Sequence, residues 1–456
     1  MNRTLTELRS ALRLVMAVAA IAGCVGGLAA RGGPPAMDDV RFEVFEAVDK
    51  DSWPAADAAP ATVFSQPVFA LPELPARYDE QGLRADRQVP CVLRASAKVR
   101  VPAGPQRLVV RGRGALRVSL DGRTVADLSG PKIRSDGHEP MFVPDRSGPR
   151  GMRIVQPGDR QAMSDVEGDG GWHDLVVEVR VGDAGRRPEI GEFAASLGPP
   201  DDVPAVIAQG GGGKPLSDAG WSEIEAAVRG AIEAANHAAR RRAAARDAEY
   251  WRDRHQLARE RLAATSGPVP PPATAADRSP IDRFLDVRLA AVGAAPVPLA
   301  NDLDFIRRLS LDVRGIVPSE GEIARFLADR EPGRRERLVD AFLADPRWAD
   351  HWVGYWQDVL AENPNLVNPT LNNTGPFRFW IHESFLDDKP IDRFATEAVM
   401  MQGGTYAGGP GGFELATEND VPMAAKAHVV GRAFLGMEMN CARCHDAPNH
   451  PYEQRD

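Results

Sequence analysis

The residues of this sequence with the most specific chemical potential form the motif Cys441-Ala442-Arg443-Cys444-His445. Two thiols one helical turn apart can each add to one vinyl group of a haem, and the imidazole that follows can bind the haem iron. This spacing is the attachment signature of haem c in exported proteins. We therefore predict that Cys441 and Cys444 bind haem c covalently and that His445 is the proximal ligand of the iron.

Other uses of the cysteine pair stay open at the level of the sequence. The pair could supply half of a zinc site, but a structural zinc ion takes four protein ligands and His450 is the one further candidate nearby. The pair could also form a disulfide or a redox-active dithiol. Cys91, at the head of an apolar-polar alternation, is expected to be a buried strand thiol.

The second axial ligand of the predicted haem is not defined by the sequence. Residues 446–456, which follow the motif, contain no methionine. The candidates therefore lie upstream, and His428 and Met423 are two of them. Met437 and Met439 are expected to pack against the preceding helix, and a five-coordinate iron is a further alternative.

The N-terminus predicts export from the cytoplasm. Residues 1–30 hold three arginines, then the apolar run 14–21 and then small residues, which is the layout of a signal peptide. The sequence Ile21-Ala22-Gly23-Cys24 resembles a bacterial lipobox, in which Cys24 would carry the lipid anchor. Cleavage near residue 29 or an uncleaved anchor helix are alternatives, and each of the three places the chain in the periplasm or cell envelope.

Length and composition limit the class of protein. The chain has 456 residues, enough for several domains, and a net charge of -9 without a long unbalanced basic stretch, so we expect no nucleic-acid partner. Beyond the N-terminus no apolar run approaches the ~20 residues of a membrane-spanning helix. Membrane attachment is therefore expected only through the N-terminus.

Changes of pattern along the chain predict a multidomain α+β architecture. Short alternating segments and the hairpin signal Asp121-Gly122 indicate an antiparallel β-sandwich, whereas the later segments have helical periodicity. The predicted units are a signal segment (1–30), a Pro/Ala-rich spacer (31–84), the β-sandwich (85–198), a long helix or helical hairpin (217–265), a Pro-rich linker (266–279) and a mainly α-helical domain (280–456).

Two phrases of the sandwich resemble the protective-antigen-type β-sandwich of extracellular carbohydrate-binding proteins. They are residues 116–123, which include the Asp-Gly turn, and residues 171–175, which include Trp172. The resemblance implies binding of a glycan or a cell surface through residues 85–198. The alternative to glycan binding is a purely structural role, in which Asp121-Gly122 is an ordinary turn and Trp172 is a core residue.

The C-terminal segment resembles the planctomycete cytochrome-associated domain of unknown function. The resemblance covers residues 280–456 and rests on several motifs, which are residues 281–285, 305–312, 315–318, 338–348, 388–394, 434–436 and 441–446. It implies a large exported protein, often joined to cytochrome c-type or surface-binding modules. Such proteins usually continue into a further domain, so a longer protein is expected.

These observations favour an exported, haem-bearing protein that serves electron transfer or redox sensing, with a redox partner that the sequence does not identify. The alternative is a surface polysaccharide-binding protein in which the cysteine pair is structural. No Ser-His-Asp order with a nucleophile elbow, no HExxH motif and no isolated carboxylate pair stands out. The sequence thus contains no signature of an enzyme.

Overall fold

The computed structural model of the chain describes residues 39–130, 147–182, 188–265, 269–271, 279–360, 377–405, 407–414, 422–439, 441–442 and 444–455. Within these ranges antiparallel strands come first and α-helices follow. This order confirms the predicted α+β class, with an N-terminal β-sandwich and a mainly helical C-terminal part. The predicted signal segment and Cys24 lie outside the described residues.

The sandwich is built from short strands. They are β1 (Val40–Phe45), β2 (Thr62–Gln66), β3 (Ala70–Leu71), β4 (Cys91–Arg100), β5 (Gly104–Arg113), β6 (Ala115–Leu120), β7 (Arg123–Leu128), β8 (Asp159–Gly168), β9 (Trp172–Val181), β10 (Phe193–Gly198) and β11 (Ala205–Val206). One sheet has the order β2-β1-β4-β9-β6-β7. The other has the order β11-β10-β5-β8, with β3 also paired to β10.

The alternation in the sequence explains the pairing of the central strands. β4 and β9 pair in antiparallel register from Cys91 opposite Val181 to Arg100 opposite Trp172. The residues that face the second sheet form the core, because a strand points alternate side chains to opposite faces. Between β6 and β7, Asp121 and Gly122 have φ of 50° and 75°, which confirms the predicted hairpin turn.

The sandwich core also contains Cys91, the cysteine that lies far from the Cys441–Cys444 motif. Cys91 is fully buried beside apolar strand residues, as predicted. Phe42, Phe69 and Phe193 meet in the same core with ring centroids 6.2–6.4 Å apart. Burial of these aromatic rings is a large part of what holds the two sheets together.

Three strands lie where the sequence analysis placed a spacer. β1, β2 and β3 fall within residues 31–84, and β1 pairs with β4 along its length. Val40, Phe42 and Val44 alternate with polar residues and are fully buried. The alternation is only six residues long and is flanked by Ala-, Pro- and Asp-rich sequence, so composition concealed it.

The helical part begins after β11. Its helices are α1 (Asp218–Arg246), α2 (Ala248–Ala263), α3 (Pro280–Ala291), α4 (Asp302–Arg314), α5 (Glu320–Ala328), α6 (Arg334–Leu343), α7 (Arg347–Val359), α8 (Arg378–Leu386), α9 (Ile391–Met400) and α10 (Pro422–Val430). None of these described helices is long and apolar enough to cross a membrane.

Helix α1 belongs to the sandwich core rather than to a free spacer. Trp221, Ile224, Val228 and Ile232 repeat at helical spacing and are buried in the same cluster as the strands. Helix α2 has no buried residue. The predicted helical segment thus packs on the sandwich through its first half.

The C-terminal helices form two smaller cores. Ile306, Phe326 and Phe342 join α4, α5 and α6. A second core joins α7, α8 and α9, and it also contains Leu83 from the loop that precedes β4. The Trp356 ring of α7 lies against several aromatic rings of this core. The sandwich and the helical part therefore share a buried residue.

Candidate functional site

The cysteine motif follows the last helix of the structure. Helix α10 passes directly into a turn of π-helix at Gly431–Leu435, which ends at Gly436 in the left-handed conformation with φ 65°. π-helical turns are frequent at functional sites. The chain then folds back, and the N–H of Met437 donates to the carbonyl of Gly431 at 3.0 Å.

The two cysteines of the motif lie on one turn. The backbone N–H groups of Cys444 and His445 both donate to the carbonyl of Cys441, with N···O distances of 3.3 and 3.4 Å. Both thiols are exposed and free, whereas Ala442 between them is buried. Arg443 lies outside the described residues. The turn therefore presents two free thiols to solvent.

His445 has a defined hydrogen bond at one ring nitrogen. Its Nδ1 atom lies 2.8 Å from the carbonyl oxygen of Asp446. A carbonyl oxygen only accepts, so Nδ1 is the donor and carries the proton. In a neutral imidazole the Nε2 atom then keeps its lone pair, which is the form that a metal ligand needs.

The two predicted candidates for the second axial position lie on one helix. Met423 is in the first turn of α10 and is 66% exposed, and His428 is in its last turn and is half-buried. Five residues of α-helix turn the side-chain direction by about 140°. The two side chains therefore point to largely different faces of α10.

Met439 has a packing role, as the sequence predicted. A Cβ at Gly431 would lie 2.8 Å from the Cε atom of Met439, so the methionine side chain lies directly on this glycine. The close approach fixes the segment between the π-helical turn and Cys441.

The zinc alternative can be compared with the part of the chain that the structure describes. No group of three or more His, Cys, Asp or Glu side chains there is arranged to hold a metal ion. The cysteine turn supplies two thiols and one imidazole, which is one ligand short of a structural zinc site.

A second candidate site lies where the sandwich meets the helical part. Arg240 of α1 pairs with Asp387, with Nε to Oδ2 at 2.6 Å and Nη2 to Oδ1 at 2.9 Å. Glu383 of α8 accepts hydrogen bonds from the hydroxyl of Tyr78 at 2.7 Å and from Arg84 at 2.9 Å. Burial is the largest cause of a raised pKa of Tyr78, which therefore stays protonated. These contacts join the loop before β4, α1 and α8.

A groove of about 610 Å³ opens at this joint. Its sandwich side comes from residues 72–77, 84–87, 89, 113 and 188–191, and its helical side from Phe379 and Ala407. The loop that carries Ala407 is held to the sandwich, because the backbone N–H groups of Thr405 and Ala407 donate to the carboxylate of Asp86 at 2.9 and 2.6 Å.

The arginines that line the groove share one property, which is that each binds a carboxylate. Arg84 also lies over the ring of Phe379, with its guanidinium carbon 4.4 Å from the ring centroid. The pairs are Arg77 and Arg87 with Glu46, each at 2.8 Å, Arg84 with Glu383 at 2.9 Å, and Arg113 with Asp159 at 3.0 Å and Glu189 at 2.8 Å.

The cysteine turn is recognisable in the amino-acid sequence, whereas the groove is not. The residues of the groove come from six separate stretches of the chain, and neither spacing nor periodicity connects them. The glycines near Ala407 pack closely on the segment before β4, where a Cβ at Gly404 would lie 2.8 Å from Oδ1 of Asp86.

Comparison with known proteins identifies the C-terminal segment. Residues 280–456 match the model of the family PSCyt2, described as "Protein of unknown function (DUF1549)". This match confirms that residues 280–456 resemble a family of domains of unknown function. None of the curated proteins matches the chain.

Several solved structures are similar to part of the chain. A β-glucosidase from Kluyveromyces marxianus in complex with glucose is 12% identical, with a TM-score of 0.23 over 36% of this chain and 17% of that one. The PA14 domain of the MpAFP antifreeze protein is 10% identical, with a TM-score of 0.24, and the match covers 40% of this chain and 96% of that domain. The PA14 sugar-binding domain from an RTX adhesin is 11% identical, with a TM-score of 0.23, and the match covers 38% of this chain and 94% of that domain. The chain thus spans only a small share of the length of the β-glucosidase.

Proposed function

We propose that this chain is an exported protein whose cysteine turn holds haem c and serves electron transfer or a redox role at the cell envelope. The observation that carries the proposal is the state of the motif: two free, exposed thiols on one turn, followed by an imidazole whose Nδ1 atom is held by Asp446. The donor set fits haem c.

The two thiols would attach the haem covalently. Cys441 and Cys444 would each hold the haem through one thioether bond to a porphyrin vinyl carbon. The exposure of Cys441 and Cys444 leaves both sulfur atoms accessible for this reaction. Covalent attachment prevents loss of the group outside the cytoplasm.

His445 would bind the iron through Nε2. The hydrogen bond from Nδ1 to Asp446 orients the ring and makes Nε2 more basic. His428 and Met423 remain the candidates for a second ligand of the iron. When bound, the haem would supply reversible one-electron chemistry, and the exposed turn would give a redox partner access to it.

The N-terminal segment supports the export that this proposal needs. Covalent haem attachment takes place outside the cytoplasm, and residues 1–30 have the layout of a signal peptide. Cys24 would anchor the mature protein to a membrane if it is lipidated.

The test is a pyridine haemochrome spectrum of the full chain, produced in a periplasm that contains cytochrome maturation machinery. The parent chain should show a covalent c-type band that survives acid-acetone extraction, and the Cys441→Ser, Cys444→Ser double variant should lack it. Cys91→Ala, which removes a buried thiol of the sandwich, should keep the band. A parent chain without a covalent band would refute the proposal.

A second candidate function is carbohydrate binding by the sandwich. The observation that favours it is the groove at the joint, most of whose lining comes from the sandwich and its lead-in loop. The resemblance of residues 85–198 to carbohydrate-binding sandwiches predicts the same class of ligand. Native gels that contain polysaccharide test it, since binding should slow the full chain equally with or without Cys441 and Cys444. Migration unchanged in every gel would refute this candidate.

A further inference from the structure

We infer that the groove between the sandwich and the helical part binds a neutral saccharide, and that both parts contribute to the site. This inference rests on the second candidate function and deepens it by naming the site and the ligand class. It begins from the size of the groove, because about 610 Å³ lies within the range of about 300–1,000 Å³ that is usual for ligand clefts. Such clefts are frequent where domains meet.

The charges around the groove indicate a neutral ligand. Every arginine that lines it is paired with a carboxylate, and these carboxylates come from four positions, Glu46, Asp159, Glu189 and Glu383. A ligand with a formal charge would compete with these pairs and would leave a partly buried charge without its partner. A neutral ligand leaves the pairs in place.

The same pairs can recognise hydroxyl groups. A guanidinium has five N–H donors, so an arginine that uses one or two of them for a carboxylate keeps others for a ligand oxygen. A carboxylate has about four acceptor positions and can likewise accept from a ligand hydroxyl. A polyhydroxylated ring, in which each hydroxyl both donates and accepts, matches this mixed set.

The remaining lining is apolar and suits the C–H face of a sugar ring. Phe379 is 45% exposed at the edge of the groove, and Arg84 covers one face of its ring. Other apolar side chains of the lining include Pro72, Leu74, Pro75, Val89 and Ile190. A pyranose presents C–H groups on its faces and hydroxyls at its rim, so it can contact both kinds of surface at once.

The site requires both parts of the chain. Phe379 belongs to α8 and Ala407 to the glycine-rich loop, whereas the arginines Arg77, Arg87 and Arg113 belong to the sandwich side. Residues 85–198 alone would lack the aromatic ring and the loop. Binding is therefore a property of the full chain.

The experiment is affinity electrophoresis of the full chain in native gels. The gels contain dextran, laminarin or galactomannan as neutral probes, polygalacturonate as an acidic probe and glycol chitosan as a basic probe. We expect retardation in at least one neutral gel. Phe379→Leu, which keeps an apolar side chain but removes the ring, and Arg113→Gln should each weaken binding by at least about tenfold.

Matched controls separate the groove from the rest of the surface. Tyr250→Leu removes an exposed ring on α2, and Arg123→Gln removes an exposed arginine of β7, and both should bind as the parent does. Retardation that the two groove variants leave unchanged would overturn the inference while the second candidate function stands. Retardation by the charged probes alone would overturn the neutral ligand. No retardation in any gel would overturn both.

Discussion

Arg240 and Asp387 form a two-pronged ion pair between positions that lie 147 residues apart in the sequence. The side chain of Arg240 is 9% exposed and that of Asp387 is 16% exposed. Tyr78 donates to Glu383 beside this pair and accepts from Arg240 at 2.9 Å. The sandwich-associated helix α1 is thereby bound to α8 through a network that water reaches only in part.

Removal of the arginine should destabilise the joint. Arg240→Ala leaves Asp387 partly buried without its main partner, so we expect a loss of about 3–5 kcal/mol in the free energy of unfolding. Urea denaturation followed by tryptophan fluorescence measures it. Arg241→Ala, an exposed neighbour on the same helix, should shift the midpoint little. Equal midpoints for the two variants would show that the pair does not hold the joint.

Acid should weaken the core of α4, α5 and α6 through Glu322. Its carboxylate accepts from Arg314 at 2.7 Å, which is the largest cause that lowers its pKa from 4.5 to about 2. A lowered folded-state pKa stabilises the protein above the unfolded pKa of 4.5, and this stability is lost as the pH falls towards 2. The side chain of Arg314 is 1% exposed, so its positive charge is stabilised by the negative charge of Glu322.

The variant Glu322→Gln tests this pH dependence. It should unfold more readily than the parent at pH 6 and lose less stability between pH 4.5 and pH 2. The parent should also lose stability through Asp345, whose pKa is lowered by hydrogen bonds from Arg347 and then Arg314. Glu320→Gln, an exposed residue of the first turn of α5, is the control. Parallel curves for Glu322→Gln and the parent would contradict the assignment.

The three described cysteines should differ sharply in reactivity. Cys441 and Cys444 are exposed, whereas Cys91 is fully buried in the sandwich core. In a haem-free Cys24→Ser chain, Ellman's reagent should therefore react quickly with two thiols and with the third only in denaturant. A native chain in which three thiols react quickly would mean that the sandwich opens around β4.

The sequence predicts local features well because they depend on neighbouring residues. The Asp121-Gly122 turn, the buried thiol of Cys91 and the packing of Trp356 follow from two-residue chemistry or from periodicity. The cysteine turn is likewise contained within five residues, and the hydrogen bonds to Cys441 match its spacing. The hydrogen bond that orients His445 involves the adjacent residue, but its acceptor is a backbone carbonyl and has no signature in the sequence.

The joint is not predictable from such patterns. Leu83 lies in a stretch that reads as a spacer, yet it packs into the core of α7, α8 and α9. Arg240 belongs to a basic run that is typical of a solvated helix face, and its carboxylate partner lies far along the chain. These contacts depend on how two domains dock, and a single sequence does not indicate which residues of one domain meet which residues of the other.

The position of Phe379 should depend on Gly408. This glycine has φ +80°, and a Cβ at its position would lie 2.5 Å from Cδ2 of the Phe379 ring. Gly408→Ala therefore adds a left-handed backbone cost of about 1–2 kcal/mol and a clash with the ring. We expect a lower melting temperature together with weaker retardation by a neutral polysaccharide.

Gly293→Ala separates the two effects. Gly293 has φ +68°, but no atom lies within 4 Å of its Cβ position, so this variant carries the backbone cost without the clash. It should lower the melting temperature and leave polysaccharide binding unchanged. If Gly408→Ala binds polysaccharide as the parent does, there are two explanations: the ring of Phe379 keeps its place, or it does not contact the ligand. NMR relaxation of the Phe379 ring distinguishes these outcomes.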